Sequence, residues 1–254
     1  MHRLLLLVLL VACSPSTSEP TDARSSGVEA PPANRSTADA AARAVVEKYR
    51  STSVERWEDD IRAFEALDAE TTDPQDAILF VGSSSIRLWD HIEADMAPYG
   101  VIQRGYGGAS WADVAHYTER LVYPHDFAAL VLFAGNDIWG KPDDRSPEEL
   151  QLLLHHTVQT VREQYPDPPI FVIEITHVPV REHLVREIDA ANAALQRAVN
   201  RFENVHWIPT RDLYLNDDGT VNTERFGEDR THQNRTGYGL WTERIKRALN
   251  RVLD

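Results

Sequence analysis

The chain has 254 residues and a formal net charge of −14. That charge argues against a nucleic-acid backbone as partner and gives no general attraction to anionic membrane surfaces. Its single cysteine, Cys13, excludes an intrachain disulfide and a cysteine metal site.

At the N-terminus, Met1-His2-Arg3 precedes an apolar run over 4–12, which is the pattern of a secretory signal and is too short to span a membrane. Leu10-Val11-Ala12-Cys13 resembles the bacterial lipobox. That resemblance implies a signal peptide over 1–13 and lipidation of Cys13. It places the protein at the bacterial cell envelope, on the outer membrane facing the periplasm, with plain secretion as the alternative. Residues 14–39 are rich in Ser, Thr, Pro and Ala without apolar periodicity and are expected to form a disordered tether. Over 40–72 the spacing of Val45, Val46, Tyr49, Trp57, Ile61, Phe64 and Leu67 predicts a helical extension. A break is expected around Ser51-Thr52-Ser53, with Ser53 capping the second part.

From residue 73 to 254 one domain is expected. Apolar runs at 77–81, 100–103, 128–134, 169–176 and 205–209 read as strands, the first buried on both faces. Helical patterns lie between and after them, at 111–121, 147–164, 185–202 and 236–252. Ser146-Pro147-Glu148-Glu149 is a helix start with cap, proline and acidic first turn. Such alternation implies a three-layer αβα sandwich around a five-stranded parallel sheet.

Function is expected where strands end. The first strand runs into Gly82-Ser83-Ser84-Ser85, the second into Gly107-Gly108-Ala109-Ser110, and the third into Ala134-Gly135-Asn136-Asp137. Asp229-Arg230-Thr231-His232 precedes the last helix. Serines in the first position are commonest as helix caps, but the other blocks supply what a nucleophilic serine needs. A histidine can take its proton, a carboxylate three residues away can orient that histidine, and a glycine N–H and an asparagine amide can hold an oxyanion. Gly105-Tyr106-Gly107 lacks the third glycine of a dinucleotide fingerprint, and no Gly-x-Ser-x-Gly elbow surrounds Ser84.

In order and content these blocks resemble the SGNH hydrolase superfamily, the GDSL-type esterases and lipases. The resemblance covers about 77–252 and implies a flavodoxin-like fold. It implies Ser84 as nucleophile, His232 as base and Asp229 as its orienter. Ser84, Gly108 and Asn136 would form the oxyanion hole. It further implies a serine esterase acting through an acyl-enzyme on a short-chain acyl or acetyl ester, of a small molecule or a glycan, with no cofactor or metal. An envelope O-acyltransferase and a non-catalytic carbohydrate-binding protein are the alternatives on the same fold. Two positions depart from the family pattern: Ser83 stands for the usual aspartate and Ala134 for a glycine. Tyr106, Trp111, Trp139 and His177, close after strand ends, are candidates for lining the pocket, with structural packing as the competing role.

Overall fold

The computed structural model describes residues 32–253. The expected signal segment, Cys13 and the tether as far as residue 31 lie outside the described residues. The chain begins with helix α1 (Pro32–Glu70). Five strands follow: β1 (Ile78–Gly82), β2 (Val101–Gly105), β3 (Ala129–Phe133), β4 (Ile170–Ile173) and β5 (Val205–Ile208). Short helices α2 (Ser84–Arg87) and α3 (Ile92–Met96) join β1 to β2. The crossovers beyond β2 are α4 (Trp111–Val122), α5 (Pro147–Gln164) and α6 (Val185–Val199). Short α7 (Arg211–Tyr214) and long α8 (Arg235–Leu253) close the domain.

All four strand pairings are parallel, and the order across the sheet is β2-β1-β3-β4-β5. The expected αβα architecture is therefore present. The strands are hydrophobic on both sides because both faces are covered, and period-two alternation sorts their residues. Leu79, Val81, Leu130, Leu132 and Val172 pack with Trp111, Leu154, Ile188 and Leu195 of α4, α5 and α6. Ile78, Phe80, Val131, Phe133 and Phe171 pack with Ile92 of α3 and with Trp241 and Ile245 of α8. Two of the crossovers start with reciprocal capping boxes, Ser110 with Asp113 for α4 and Ser146 with Glu149 for α5.

The N-terminal helix departs from expectation twice. It starts at Pro32, inside the segment expected as tether through residue 39; proline suits a first helical turn. It also runs unbroken to Glu70. Ser53 does not cap a second helix. It is buried, and its Oγ donates 2.6 Å to Asp113 Oδ1 of α4. Tyr117 Oη donates 3.3 Å to the Ser53 carbonyl. With its hydroxyl held by another helix, Ser53 does not compete for the local backbone. Further contacts bind α1 to the domain: Arg120 bridges Glu58 and Glu65, Arg104 pairs with Asp68, and Lys48 pairs with Glu149.

Candidate active site

Ser84 sits where β1 hands over to α2. Gly82 has φ +153° and lies so close to β3 that a Cβ there would be 1.8 Å from the Phe133 carbonyl oxygen. That approach lets Ser83 N–H donate 2.9 Å to the same carbonyl. The chain then turns, with Ser83 extended at the N-cap and making no side-chain cap bond, and Ser84 as the first residue of α2. Tyr238 Oη of α8 donates 2.8 Å to the Ser85 carbonyl, and its ring stacks on Trp89 at 5.4 Å, so α8 braces the turn.

The same helix sets His232. Asn234 donates to the carbonyls of Glu224 and Phe226 at 2.9 and 3.0 Å and accepts from Gly237 N–H at 3.1 Å. Gly227 N–H donates 2.9 Å to the His232 carbonyl. Within this loop Asp229 Oδ1 accepts the backbone N–H groups of Thr231 and His232 at 2.9 and 3.0 Å. Its Oδ2 lies 2.5 Å from His232 Nδ1, and His232 Nε2 lies 2.8 Å from Ser84 Oγ. A continuous hydrogen-bonded row of carboxylate, imidazole and hydroxyl results. Partial burial pushes the Asp229 carboxyl up, but the bonds from His232 and Thr231 outweigh it and hold it below the usual carboxylate range.

Gly108 and Asn136 lie beside each other: a Cβ on Gly108 would be 3.7 Å from the Asn136 amide. Asn136 Nδ2 donates 3.1 Å to the Ala109 carbonyl, which occupies one of its two hydrogens. The turn carrying Asn136 is fixed from below. Buried Arg181 donates to the carbonyls of Gly135 and Ile138, and burial draws its guanidinium down to about 10. Fully buried Asp137 accepts Trp111 N–H at 3.1 and 3.2 Å and faces Arg145 Nε at 3.8 Å. Burial pushes its carboxyl up to about 7, against the opposing pull of Arg145 and the Trp111 N–H. Ala134 is buried without positive φ, so its methyl is absorbed by the core.

A cleft of about 260 Å³ opens beside Gly108 and Asn136, with Trp139 on its wall. Of the four pocket candidates, only Trp139 lines it; Tyr106, Trp111 and His177 do not. Tyr106 and Trp111 are fully buried, and Tyr106 is enclosed edge-on between Trp57 and Tyr117. Helix α1 covers this strand end, and a position just past a strand then faces core instead of solvent. His177 is buried 3.0 Å from Asp189, and its neighbour Glu174 accepts Thr210 and Arg211 N–H at the start of α7. The cleft also takes Arg56, Lys141 and Arg145, which no motif had marked.

A parallel αβα sandwich with a serine, a histidine-aspartate pair and paired amide donors at one sheet edge defines a class of hydrolytic enzyme. Residues 81–240 match the GDSL-like lipase/acylhydrolase family, and the chain belongs to that family, within the SGNH superfamily. It is by class a carboxylic ester hydrolase. A search of curated proteins gave no match. Among solved structures, one from Streptococcus pneumoniae described as a platelet activating factor is 20% identical with a TM-score of 0.67, covering 80% of this chain and 97% of its own. A GDSL-like lipase from Bacteroides thetaiotaomicron is 15% identical with a TM-score of 0.64, covering 75% of this chain and 97% of its own. An acetyl xylan esterase is 18% identical with a TM-score of 0.57, covering 68% of this chain and 99% of its own. At these identities the likeness is one of fold.

Proposed function

We propose that the protein is a serine esterase that cleaves short-chain acyl esters through an acyl-enzyme on Ser84. The observation that carries this reading is the row from Asp229 through His232 to Ser84, with contacts of 2.5 and 2.8 Å. In the proposed reaction Ser84 Oγ attacks the ester carbonyl carbon while His232 Nε2 takes its proton. Negative charge collects on the carbonyl oxygen and is met by the N–H groups of Ser84 and Gly108 and by the Asn136 amide. Among the described residues, neither backbone N–H is occupied by a bond to another backbone carbonyl outside the regular elements. As the first residue of α2, Ser84 also has no intrahelical acceptor for its N–H. The intermediate collapses, the alkoxide leaves with the proton from His232, and Ser84 stays acylated. Water then gives its proton to His232 and attacks the acyl carbon; the acyl–Oγ bond breaks, His232 returns the proton to Ser84 Oγ, and the acid leaves. Asp229 holds the imidazole with its proton on Nδ1 and stabilises the cation that forms.

A short acyl group is favoured because the cleft, at about 260 Å³ and lined by several charged side chains, is smaller than the ~300–1,000 Å³ typical of drug-sized ligands. A 4-nitrophenyl ester series of increasing chain length, run beside acetylated glycans, tests this. Wild type should show a burst of nitrophenol and label with a fluorophosphonate. Ser84→Ala should stay folded, lose both, and so fix the nucleophile; retained turnover would refute the assignment. The proposal places the enzyme at the bacterial envelope through a lipidated Cys13, which metabolic labelling with a fatty acid and Cys13→Ser would test.

A further inference from the structure

The cleft beside Gly108 and Asn136 has a charge character opposite to that of the chain. Overall, 40 acidic residues outnumber 26 basic ones. Yet Arg56, Lys141 and Arg145 line this one cleft against two carboxylates, Asp143 and Asp144. Asp144 is occupied by the loop itself, accepting Trp139 N–H at 2.9 Å and Gly140 N–H at 2.7 Å. Arg145 is turned inward, 3.8 Å from buried Asp137 and with its guanidinium 4.4 Å from the Tyr49 ring centroid. Arg56 and Lys141 make no ion pair among the described residues. Two cations are thus left to face the cleft, with Asp143 as the remaining counter-charge.

Arg56 stands apart in its origin and its rigidity. It belongs to α1, outside the 81–240 span shared with the family. Its neighbour Trp57 is seated so tightly on Gly107 that a Cβ there would lie 1.8 Å from the indole ring. Gly107, at φ +34°, meets the ring with bare backbone. One turn earlier, buried Ser53 bonds to Asp113. The Arg56 guanidinium rests 4.9 Å from the Trp57 ring centroid. An exposed arginine on so fixed a helical turn has lost much of its freedom before any ligand arrives, which lowers the cost of binding one.

The cleft holds two of the three oxyanion donors, Gly108 and Asn136, and borders the side of them away from Ser84, His232 and Asp229, none of which lines it. The leaving alcohol must lie by His232 to receive its proton, so the cleft falls to the acyl half of the ester. We infer that Arg56, with Lys141, is a specificity determinant that selects esters whose short acyl chain carries a carboxylate at its far end, the hemi-esters of dicarboxylic acids. This inference rests on the Ser84 esterase reading above. A guanidinium fork matches a carboxylate, and the indole under Arg56 keeps one side of it dry.

The test compares 4-nitrophenyl adipate with its neutral isostere 4-nitrophenyl adipamate, each corrected for its uncatalysed rate. Wild type should favour adipate about 10-fold in kcat/KM, equivalent to about 1.4 kcal/mol, chiefly through KM. Added salt should erode that preference. Arg56→Glu should abolish or invert the ratio and Arg56→Lys should keep part of it, with melting curves checking the fold of both. Equal kcat/KM for the two esters in wild type, no turnover of either beside good turnover of 4-nitrophenyl acetate, or an unchanged ratio in Arg56→Glu would overturn the inference. Fluorophosphonate labelling of wild type separates the two levels: labelling that is lost in Ser84→Ala leaves the esterase reading standing when the preference fails. Absence of labelling and of acetate turnover removes both.

Discussion

Replacing Asp137 by asparagine should make the protein more stable at neutral and mildly alkaline pH and remove part of its pH dependence. Asp137 is fully buried and its carboxyl is pushed up to about 7 from the ordinary 3.8. Because the folded pKa is the higher one, the folded state binds more protons than the unfolded chain between these values. Stability from this group is therefore full below about pH 4 and falls as pH rises through the folded value. At about 1.4 kcal/mol per unit the whole interval amounts to about 4 kcal/mol, of which about 3 kcal/mol lies between pH 5 and 8. Asparagine has the same shape, keeps an oxygen for Trp111 N–H and carries no charge to bury. Urea melts followed by tryptophan fluorescence at a series of pH values would give both curves. The difference between variant and wild type should grow in the variant's favour by about 3 kcal/mol from pH 5 to 8, every other group cancelling. Parallel curves would refute the reasoning and show that Arg145 and Arg181 keep Asp137 charged throughout.

Three further outcomes follow from the geometry. In Asp229→Asn the two backbone N–H bonds retain the oxygen and leave the amide nitrogen facing His232 Nδ1, which moves the imidazole proton to Nε2 and blocks proton uptake from Ser84. Steady-state kinetics should show kcat reduced at least about 100-fold with KM little changed. Gly82→Ala would force a methyl into the Phe133 carbonyl, 1.8 Å from its position; a loss above about 4 kcal/mol, read as insolubility or a collapsed melting temperature, is expected. Ser53→Ala removes the buried bond to Asp113 and should lower stability by about 1–2 kcal/mol in chemical denaturation, without changing the labelling of Ser84.

The strands were legible because each is a continuous apolar run, and four of the five lie within about two residues of the predicted bounds. The crossover helix α5 was legible from its serine cap, proline and acidic first turn, and α4 only from its helical pattern, its Ser110–Asp113 box emerging with the structure. The serine, histidine, aspartate, glycine and asparagine that meet at the sheet edge were legible as blocks in order. What escaped depends on long-range partners. Ser51-Thr52-Ser53 looks like a helix break until Asp113, sixty positions away, takes the Ser53 hydroxyl. Tyr106 looks like a pocket aromatic until Trp57 of α1 packs against it, and Trp111 until its side chain is found fully buried in the core. Arg56 carries no local signal at all, since only the docking of α1 brings it to Gly108. The short helices α2, α3 and α7 fall below the length at which periodicity can speak.

The docking of α1 also separates two boundaries that are easily equated. The span shared with the family starts at residue 81, yet a chain cut just before β1 would be a poor version of this protein. It would keep every residue proposed for the chemistry. It would also bare Tyr106, Tyr117 and the groove over Gly107 that Trp57 now fills, and leave Asp113, Glu149 and Arg104 facing water without Ser53, Lys48 and Asp68. An apolar patch of that kind is an invitation to self-association. The smallest autonomous unit is thus larger than the recognisable one, and fragments for biophysical work should retain the whole of α1.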